Sequence, residues 1–182
     1  MTTTKWEFDP THSELGFKIK HLMITNVSGT FKKFDVKVES ENDDFTTAKI
    51  VATADMSSIS TNNEQRDAHL RNADFFEVEK YPSLVFQSTK IERIDDDTFY
   101  VYGNLTMKGV SKAVKLNVEY SGLTKDPWGN QRAGFIITGK INRSDWGVTF
   151  NGVLETGGLM LGEEVKINSE IQLIKAVAVE AA

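Results

Sequence analysis

The sequence contains no cysteine. This absence excludes disulfide bridges, thiolate nucleophiles and cysteine-ligated zinc, so packing must supply the stability of the fold. Basic charge is also in short supply, because 21 Lys and Arg face 26 Asp and Glu and the net charge is -5. Since nucleic-acid-binding domains usually present a basic face to the phosphates, we expect no DNA or RNA partner.

Long apolar runs are missing as well. No segment approaches the roughly 18 consecutive apolar residues that a membrane-spanning helix needs, so we expect no integral membrane segment. Residues 1–9 have neither the cationic start nor the apolar stretch of a secretory leader, which favours a cytoplasmic location. A chain of 182 residues is typical of a single domain, and we predict one domain over residues 1–182.

What the sequence does contain is alternation of apolar and polar residues, which places successive side chains on opposite faces of a β-strand. The alternating segments comprise residues 15–19, 36–38, 50–56, 84–86, 99–105, 114–120, 135–139 and 165–173. They predict about eight strands or more, joined at turn-forming sequences such as Asn42-Asp43-Asp44, Asp95-Asp96-Asp97, Lys108-Gly109, Asp126-Pro127-Trp128-Gly129-Asn130 and Gly157-Gly158.

The predicted strands are antiparallel, because the connections are too short for helical crossovers. Only residues 62–76 have the composition of a helix, starting with capping-type residues and an acidic first turn. Closing the sheet into a barrel removes its unpaired edges, although a two-sheet sandwich would also protect most of them. We therefore predict an all-β protein, an antiparallel β-barrel with one short helix.

The predicted helix carries the densest group of polar residues. Asp67 and Arg71 are four residues apart and could form an ion pair on a solvated face. In a functional interpretation, Arg66, His69 and Arg71 would instead act as donors to an anionic headgroup at the mouth of the barrel. Phe75 and Phe76 follow directly and could line the same rim, although aromatic residues beside strands are more often part of the core.

The three histidines show no spacing that indicates a metal site, and we predict no metal and no cofactor. His21 continues the parity of Phe17 and Ile19, so it should face the interior, where a neutral imidazole needs a hydrogen-bond partner. Near the C-terminal end, Arg143 and Trp146 interrupt a strand. They form either an irregular turn with Arg143 pairing Asp145, or a closure of one end of the cavity.

Motifs that follow one another along most of the chain resemble the YceI-like family. They are Trp6, Asp9, His12-Ser13, Phe17, His21, Gly29-Thr30-Phe31, Gln65-Arg66-Asp67-Ala68-His69-Leu70, Asp74-Phe75-Phe76, Tyr81-Pro82, Phe86, Gly103-Asn104-Leu105-Thr106-Met107-Lys108-Gly109, Asp126-Pro127-Trp128-Gly129 and Ile141-Asn142-Arg143-Ser144-Asp145-Trp146-Gly147. The resemblance implies an extended lipocalin-like barrel, a homodimer, and binding of a polyisoprenoid such as a polyprenyl diphosphate or a quinone-like chain.

The chemistry of such a barrel agrees with this ligand class, because an eight-stranded barrel has room for one small ligand and ligand pockets are mostly apolar. We therefore expect a carrier or storage protein for a long apolar lipid and not an enzyme. The residues predicted to contact the ligand are Phe17, Ile19, His21, Arg66, His69, Arg71, Phe75, Phe76, Phe86, Arg143 and Trp146. The alternatives are an enzyme acting on a lipid-like substrate through His21 or His69, and a stress-response module with a filled core.

Overall fold

A computed structural model describes residues 2–152 and 160–176. It contains one α-helix, short 3-10 turns and eleven antiparallel strands. The strands are β1 (Thr3–Phe8), β2 (Glu14–His21), β3 (Thr25–Phe31), β4 (Phe34–Glu41), β5 (Asp44–Asp55), β6 (Ile59–Ser60), β7 (Ser83–Arg93), β8 (Thr98–Met107), β9 (Val110–Lys125), β10 (Gln131–Asn142) and β11 (Leu161–Lys175).

The sheet closes on itself. The strand order is β1-β4-β5-β7-β8-β9-β10-β11, and β1 pairs again with β11, so these strands form an eight-membered ring. The closure occurs near the end of β11, where Phe8 lies opposite Leu173. Earlier along β11, Ile167 lies opposite Phe17 of β2, so β2, β3 and β6 extend the wall beyond the ring. The predicted all-β antiparallel barrel with one short helix is confirmed.

The alternation seen in the sequence determines which side chains enter the barrel. In β8, Phe99, Val101, Leu105 and Met107 are buried and Gly103 shares their inward parity. The predicted turns at 42–44, 95–97, 108–109 and 126–130 connect neighbouring antiparallel strands. The predicted turn at 157–158 and the C-terminal tail from residue 177 lie outside the described residues.

The helix α1 (Glu64–Arg71) is shorter than the predicted segment 62–76. It begins at the cap residue Asn63, whose side chain accepts a hydrogen bond from the amide of Arg66. Beyond its end the amide of Phe76 donates to the carbonyl of Leu70, so the chain folds back in tight turns. Those turns place Phe75 and Phe76 against the barrel interior instead of continuing the helix.

Candidate ligand cavity

The barrel encloses a cavity of about 440 Å³. Its wall is formed almost entirely by aliphatic and aromatic side chains, which every strand of the ring except β1 contributes. The polar lining residues are His21, Thr53, Thr61, Arg66, His69, Arg143 and Ser169. A pocket of this size and chemistry suits one apolar molecule with a small polar end. It also argues against the alternative of a filled core, since a barrel packed at normal interior density would leave no such space.

Glycines facing inward make part of this space. A Cβ atom on Gly29 would lie 2.3 Å from Cζ of Phe17, and one on Gly103 would lie 2.5 Å from Cζ of Phe86. The two phenylalanine rings therefore lie flat against the wall, in places that a larger residue would occupy. If the rings could not lie there, they would have to swing into the cavity.

Aromatic side chains close one end of the barrel. The ring of Phe45 lies 4.8 Å from that of Trp6, 5.2 Å from Tyr120 and 5.0 Å from Phe135. The indole of Trp6 donates to Oγ of Ser40 at 2.9 Å, so its polar atom is satisfied without water. We call Trp6, Phe45, Tyr120 and Phe135 the closed end.

The cavity opens at the other end. Arg66, Phe150 and Met160 line the cavity and are also exposed to solvent, so they mark the mouth. His69 packs edge-on between the rings of Phe75 and Phe150, with centroid distances of 5.0 and 4.9 Å. Its Nε2 atom lies 2.8 Å from Oδ2 of Asp74, which fixes the imidazole at the rim.

The expected ion pair between Asp67 and Arg71 does not form. Asp67 is buried and accepts hydrogen bonds from both the amide and the hydroxyl of Thr61. Arg66 donates from Nε to Thr61 Oγ1 and from Nη2 to the Thr61 carbonyl, both at 2.7 Å. These hydrogen bonds fasten the helix to Thr61, the residue that follows β6. Arg71 points to a separate polar depression that Lys32 and Lys33 also line, and it does not line the cavity.

Arg143 and Trp146 lie in a 3-10 turn, and the expected pairing of Arg143 with Asp145 is wrong. Only 4% of Arg143 is exposed, and its guanidinium donates to the carbonyls of Gly162, Val148 and Phe150. Burial lowers the pKa of this guanidinium, while the carboxylate of Glu163 acts in the opposite direction. Arg143 thus ties Val148 and Phe150 to Gly162 beside the mouth.

Trp146 is buried and does not line the cavity. Its indole nitrogen donates to the carbonyl of Leu105 at 2.9 Å, so it braces the outer end of β8. His21 does line the cavity, and within the described residues it makes no side-chain hydrogen bond. His12 lies outside the barrel, where it contacts Oδ2 of Asp9 at 2.8 Å. In residues 2–152 and 160–176, no three potential metal-ligating side chains come together.

Nine of the predicted contact residues line the cavity: Phe17, Ile19, His21, Arg66, His69, Phe75, Phe76, Phe86 and Arg143. Whether they contact a ligand stays a prediction. The cavity is also lined by Phe45, Phe150 and Met160, which were not among the predicted contact residues. Phe45 has the opposite parity to Ile50 and Ala52 of the same strand, so alternation alone would have placed it outside the barrel. It lines the cavity because the pairing of β4 with β5 shifts register between Glu39 and Glu41. Phe150 and Met160 lie in irregular segments where no periodicity shows which way a side chain points.

A closed antiparallel barrel around an apolar cavity with a polar mouth defines the class of barrels that can hold one small molecule inside. The YceI-like domain matches residues 6–173 of this chain, which therefore belongs to the YceI-like family. A UPF0312 protein of Staphylococcus epidermidis is 45% identical over 170 residues, covering 93% of this chain and 96% of the relative. A UPF0312 protein of Staphylococcus aureus is 43% identical over the same shares of the two chains.

Solved structures show the same fold. A YceI protein of Campylobacter jejuni matches with a TM-score of 0.75 and 33% identity, covering 87% of this chain and 90% of its own. BcnA of Burkholderia cenocepacia matches with a TM-score of 0.79 at 22% identity, over 91% and 99% of the two chains. A polyisoprenoid binding domain from Saccharophagus degradans matches with a TM-score of 0.65 at 15% identity, over 94% and 98%.

Among the residues that the structure describes, no helix has the length and hydrophobicity that crossing a bilayer requires.

Proposed function

We propose that this protein binds one long apolar isoprenoid-type lipid inside the barrel and serves as its carrier or store. The observation that carries the proposal is the apolar cavity, closed at one end by aromatic rings and open at the other beside Arg66 and His69. The similarity in fold to a polyisoprenoid binding domain supports the same ligand class. A polyprenyl diphosphate or a quinone-like molecule has the required form, a hydrocarbon tail with a single polar end.

The free energy of such binding comes mainly from the tail. Burying on the order of 500 Å² of polyprenyl surface contributes about 12 kcal/mol at ~25 cal/mol/Å². Ordering the flexible chain and losing rigid-body freedom oppose this by several kcal/mol, which leaves room for micromolar or tighter affinity. Hydrogen bonds are therefore not needed to hold the tail and serve to orient it.

The proposed orientation places the tail at the closed end and the headgroup at the mouth. Arg66 and His69 lie at that mouth, and charge-assisted bonds from Arg66 could reach a phosphate without leaving Thr61. Arg71 faces another depression, so a clamp would comprise Arg66 and His69 alone. Arg143 already donates to three backbone carbonyls, which assigns it a structural role beside the ligand.

Binding is tested by native mass spectrometry of gently purified protein together with thermal shifts on adding a polyprenyl diphosphate and a neutral prenylated quinone. A co-purified apolar ligand, or a rise in melting temperature with either lipid, supports the proposal. Uniformly empty protein and no thermal shift with any chain length would overturn it. Turnover of the lipid that is lost in His21→Ala or His69→Ala while binding persists would instead favour the enzyme.

A cytoplasmic location and a homodimer remain parts of the proposal. Fractionation of the source cells tests the location. Light scattering after size exclusion tests the assembly, and a monomer across the accessible concentration range would contradict the dimer.

A further inference from the structure

Among the described residues, five exposed apolar side chains lie at the mouth of the cavity or in the β2–β3 turn that adjoins it. They are Leu22, Met23, Ile24, Phe150 and Met160, and we call them the apolar rim. Met23 is 59% exposed and Ile24 is 80% exposed, which is unusual for residues of this size. The amide of Leu22 donates to the carbonyl of Met160 at 2.8 Å, so the β2–β3 turn adjoins a residue that lines the cavity. The rim is thus continuous with the apolar wall inside.

The β2–β3 turn holds Leu22 and Met23 in a backbone conformation that residues of their type disfavour. Leu22 and Met23 both have left-handed backbones, with φ of 54° and 61°, and the amide of Ile24 donates to the carbonyl of His21. Tight hairpin turns of this kind favour Asn-Gly, because bulky residues are strained in left-handed conformations. Leu and Met at these positions cost stability and expose hydrocarbon to water at the same time. Such a conflict between sequence and local structure is expected where a surface has a function.

A row of lysines lies on the outer wall behind the rim. Lys18 of β2 is opposite Lys166 of β11, which is in turn opposite Lys140 of β10. All three are exposed, and none belongs to an ion pair among residues 2–152 and 160–176. Like charges on directly opposed strands repel each other. Lys20 continues the row on the same face, two residues before Leu22. Exposed Glu164 lies on the same face, two residues from Lys166, so four lysines and one carboxylate give this face a net positive charge. The protein as a whole has a net charge of -5.

We propose that the apolar rim docks into the surface of an anionic lipid bilayer, with the mouth of the cavity facing the membrane. Exposed apolar side chains flanked by lysines are the combination that binds at the interface of anionic membranes. Lys18 lies four residues before Leu22, or about 13 Å along the strand at ~3.3 Å per residue. When the rim enters the acyl boundary, the lysines lie at the level of the lipid phosphates.

This docking rests on the proposed lipid binding and adds its route of loading. A polyprenyl chain then passes from the bilayer to the closed end without crossing water. The lysine row argues against a second copy of this chain as the occupant, because symmetric pairing through this face would bring two basic rows together.

The proposal is tested by sedimenting the full-length protein with vesicles of phosphatidylcholine alone or mixed with phosphatidylglycerol. The wild-type protein should sediment with the mixed vesicles. The double variant Leu22→Asn/Met23→Gly should sediment about tenfold less, and its melting temperature should stay equal or rise because the turn is relaxed. Trp128→Ala is the matched control, because Trp128 is 79% exposed in the β9–β10 turn away from the mouth, and it should sediment like the wild type.

Replacing Lys18, Lys140 and Lys166 by Gln should abolish the preference for mixed over phosphatidylcholine vesicles. No sedimentation of the wild type with the mixed vesicles, or equal sedimentation of the Leu22→Asn/Met23→Gly variant, would overturn the docking. The docking would also be overturned if light scattering found the wild type dimeric and the double variant monomeric, because the rim would then be an interface between copies.

Binding of a short fluorescent farnesyl alcohol in the absence of vesicles separates this proposal from the proposed function. The Leu22→Asn/Met23→Gly variant should bind the probe as the wild type does, since neither Leu22 nor Met23 lines the cavity. If the wild type sediments with vesicles but binds neither this probe nor longer lipids, lipid binding fails and docking stands. If it binds the probe but never sediments with vesicles, docking fails and lipid binding stands.

Discussion

The ring of Phe17 lies directly over Gly29 on the neighbouring strand, where a Cβ atom would come within 2.3 Å of Cζ. The three atoms nearest to that position all belong to the ring of Phe17, so a larger residue there would meet the ring first. Gly29 is therefore a position that sets the width of the cavity through the ring beside it.

Gly29→Ala should push the Phe17 ring into the cavity and reduce affinity for a polyprenyl chain by about tenfold, with a cost in stability of about 1–3 kcal/mol for overpacking. Gly134→Ala is the matched control, because its Cβ would lie 3.6 Å from Cβ of Ser121 and would meet no closer side chain. Lipid titrations of both variants measure the effect. Equal affinities would show that the width at Phe17 does not limit binding.

Phe17→Asp should weaken binding of any apolar chain at least about tenfold, because an ionised carboxylate in an apolar pocket lacks a partner. Ser28→Asp places the same group on the outer face of β3 and should leave affinity unchanged. Circular dichroism and melting curves establish that both variants fold. Unaltered affinity in a folded Phe17→Asp protein would remove Phe17 from the binding surface.

Arg66→Ala should cost more affinity for a polyprenyl diphosphate than for a neutral chain, by about tenfold, since a charge-assisted bond contributes roughly 1.5 kcal/mol or more. The comparison of two ligands in one variant controls for the loss of the bonds from Arg66 to Thr61. Equal losses for the two ligands would mean that Arg66 acts only by fastening the helix.

Arg143→Met should destabilise the fold by about 3 kcal/mol, because one buried and two partly buried backbone carbonyls lose their donor. Urea denaturation measures this loss. The affinity of the folded fraction for a neutral chain should change little. A stable Arg143→Met protein that no longer binds a diphosphate would instead place Arg143 in the headgroup site.

Asp9, on the outer surface near the closed end, makes the stability of the fold depend on pH. Burial opposes the ionisation of Asp9, but hydrogen bonds from Thr11, His12 and Arg132 together hold its pKa far below the ordinary value. Because the pKa is depressed in the folded state, this stabilisation is complete above the unfolded pKa near ~4 and is lost as the pH falls towards the folded value.

Asp9→Asn should therefore lower the free energy of unfolding at neutral pH by about 2 kcal/mol. The difference from the wild type should shrink as the pH falls below about 4, where the unfolded wild-type chain binds a proton at Asp9 while the folded protein still holds the charged carboxylate. Denaturant titrations across this range measure it. If the difference in free energy of unfolding between the two proteins stayed constant into strong acid, the charge of Asp9 would not contribute to stability.

The sequence was sufficient for the barrel because period-two alternation reports directly which side of a strand is buried. The same parity placed Phe17, Ile19, His21 and Phe86 in the wall of the cavity. Alternation could not show the orientation of side chains in turns and in the helix, because contacts with residues distant in the sequence determine it there. Thus Arg71 lies on the predicted helix but lines a separate depression and not the cavity. Asp67 accepts hydrogen bonds from the amide and hydroxyl of Thr61 and forms no ion pair with Arg71.

The motif series identified the family, but motif residues serve the fold as often as the site. Trp146 braces the carbonyl of Leu105 instead of facing the cavity. The rim could not be predicted either, since Leu22, Met23 and Ile24 continue an apolar segment that looks like strand interior until the turn is known.

Because the closed end is filled by the rings of Trp6, Phe45, Tyr120 and Phe135, the cavity is accessible only from the mouth. A lipid bound as we propose would have to leave through the mouth by which it entered, and a second molecule could not displace it from the closed end. If the proposed lipid is longer than the cavity is deep, its remaining isoprene units stay outside the mouth, where an acceptor would contact them before the bound part is released.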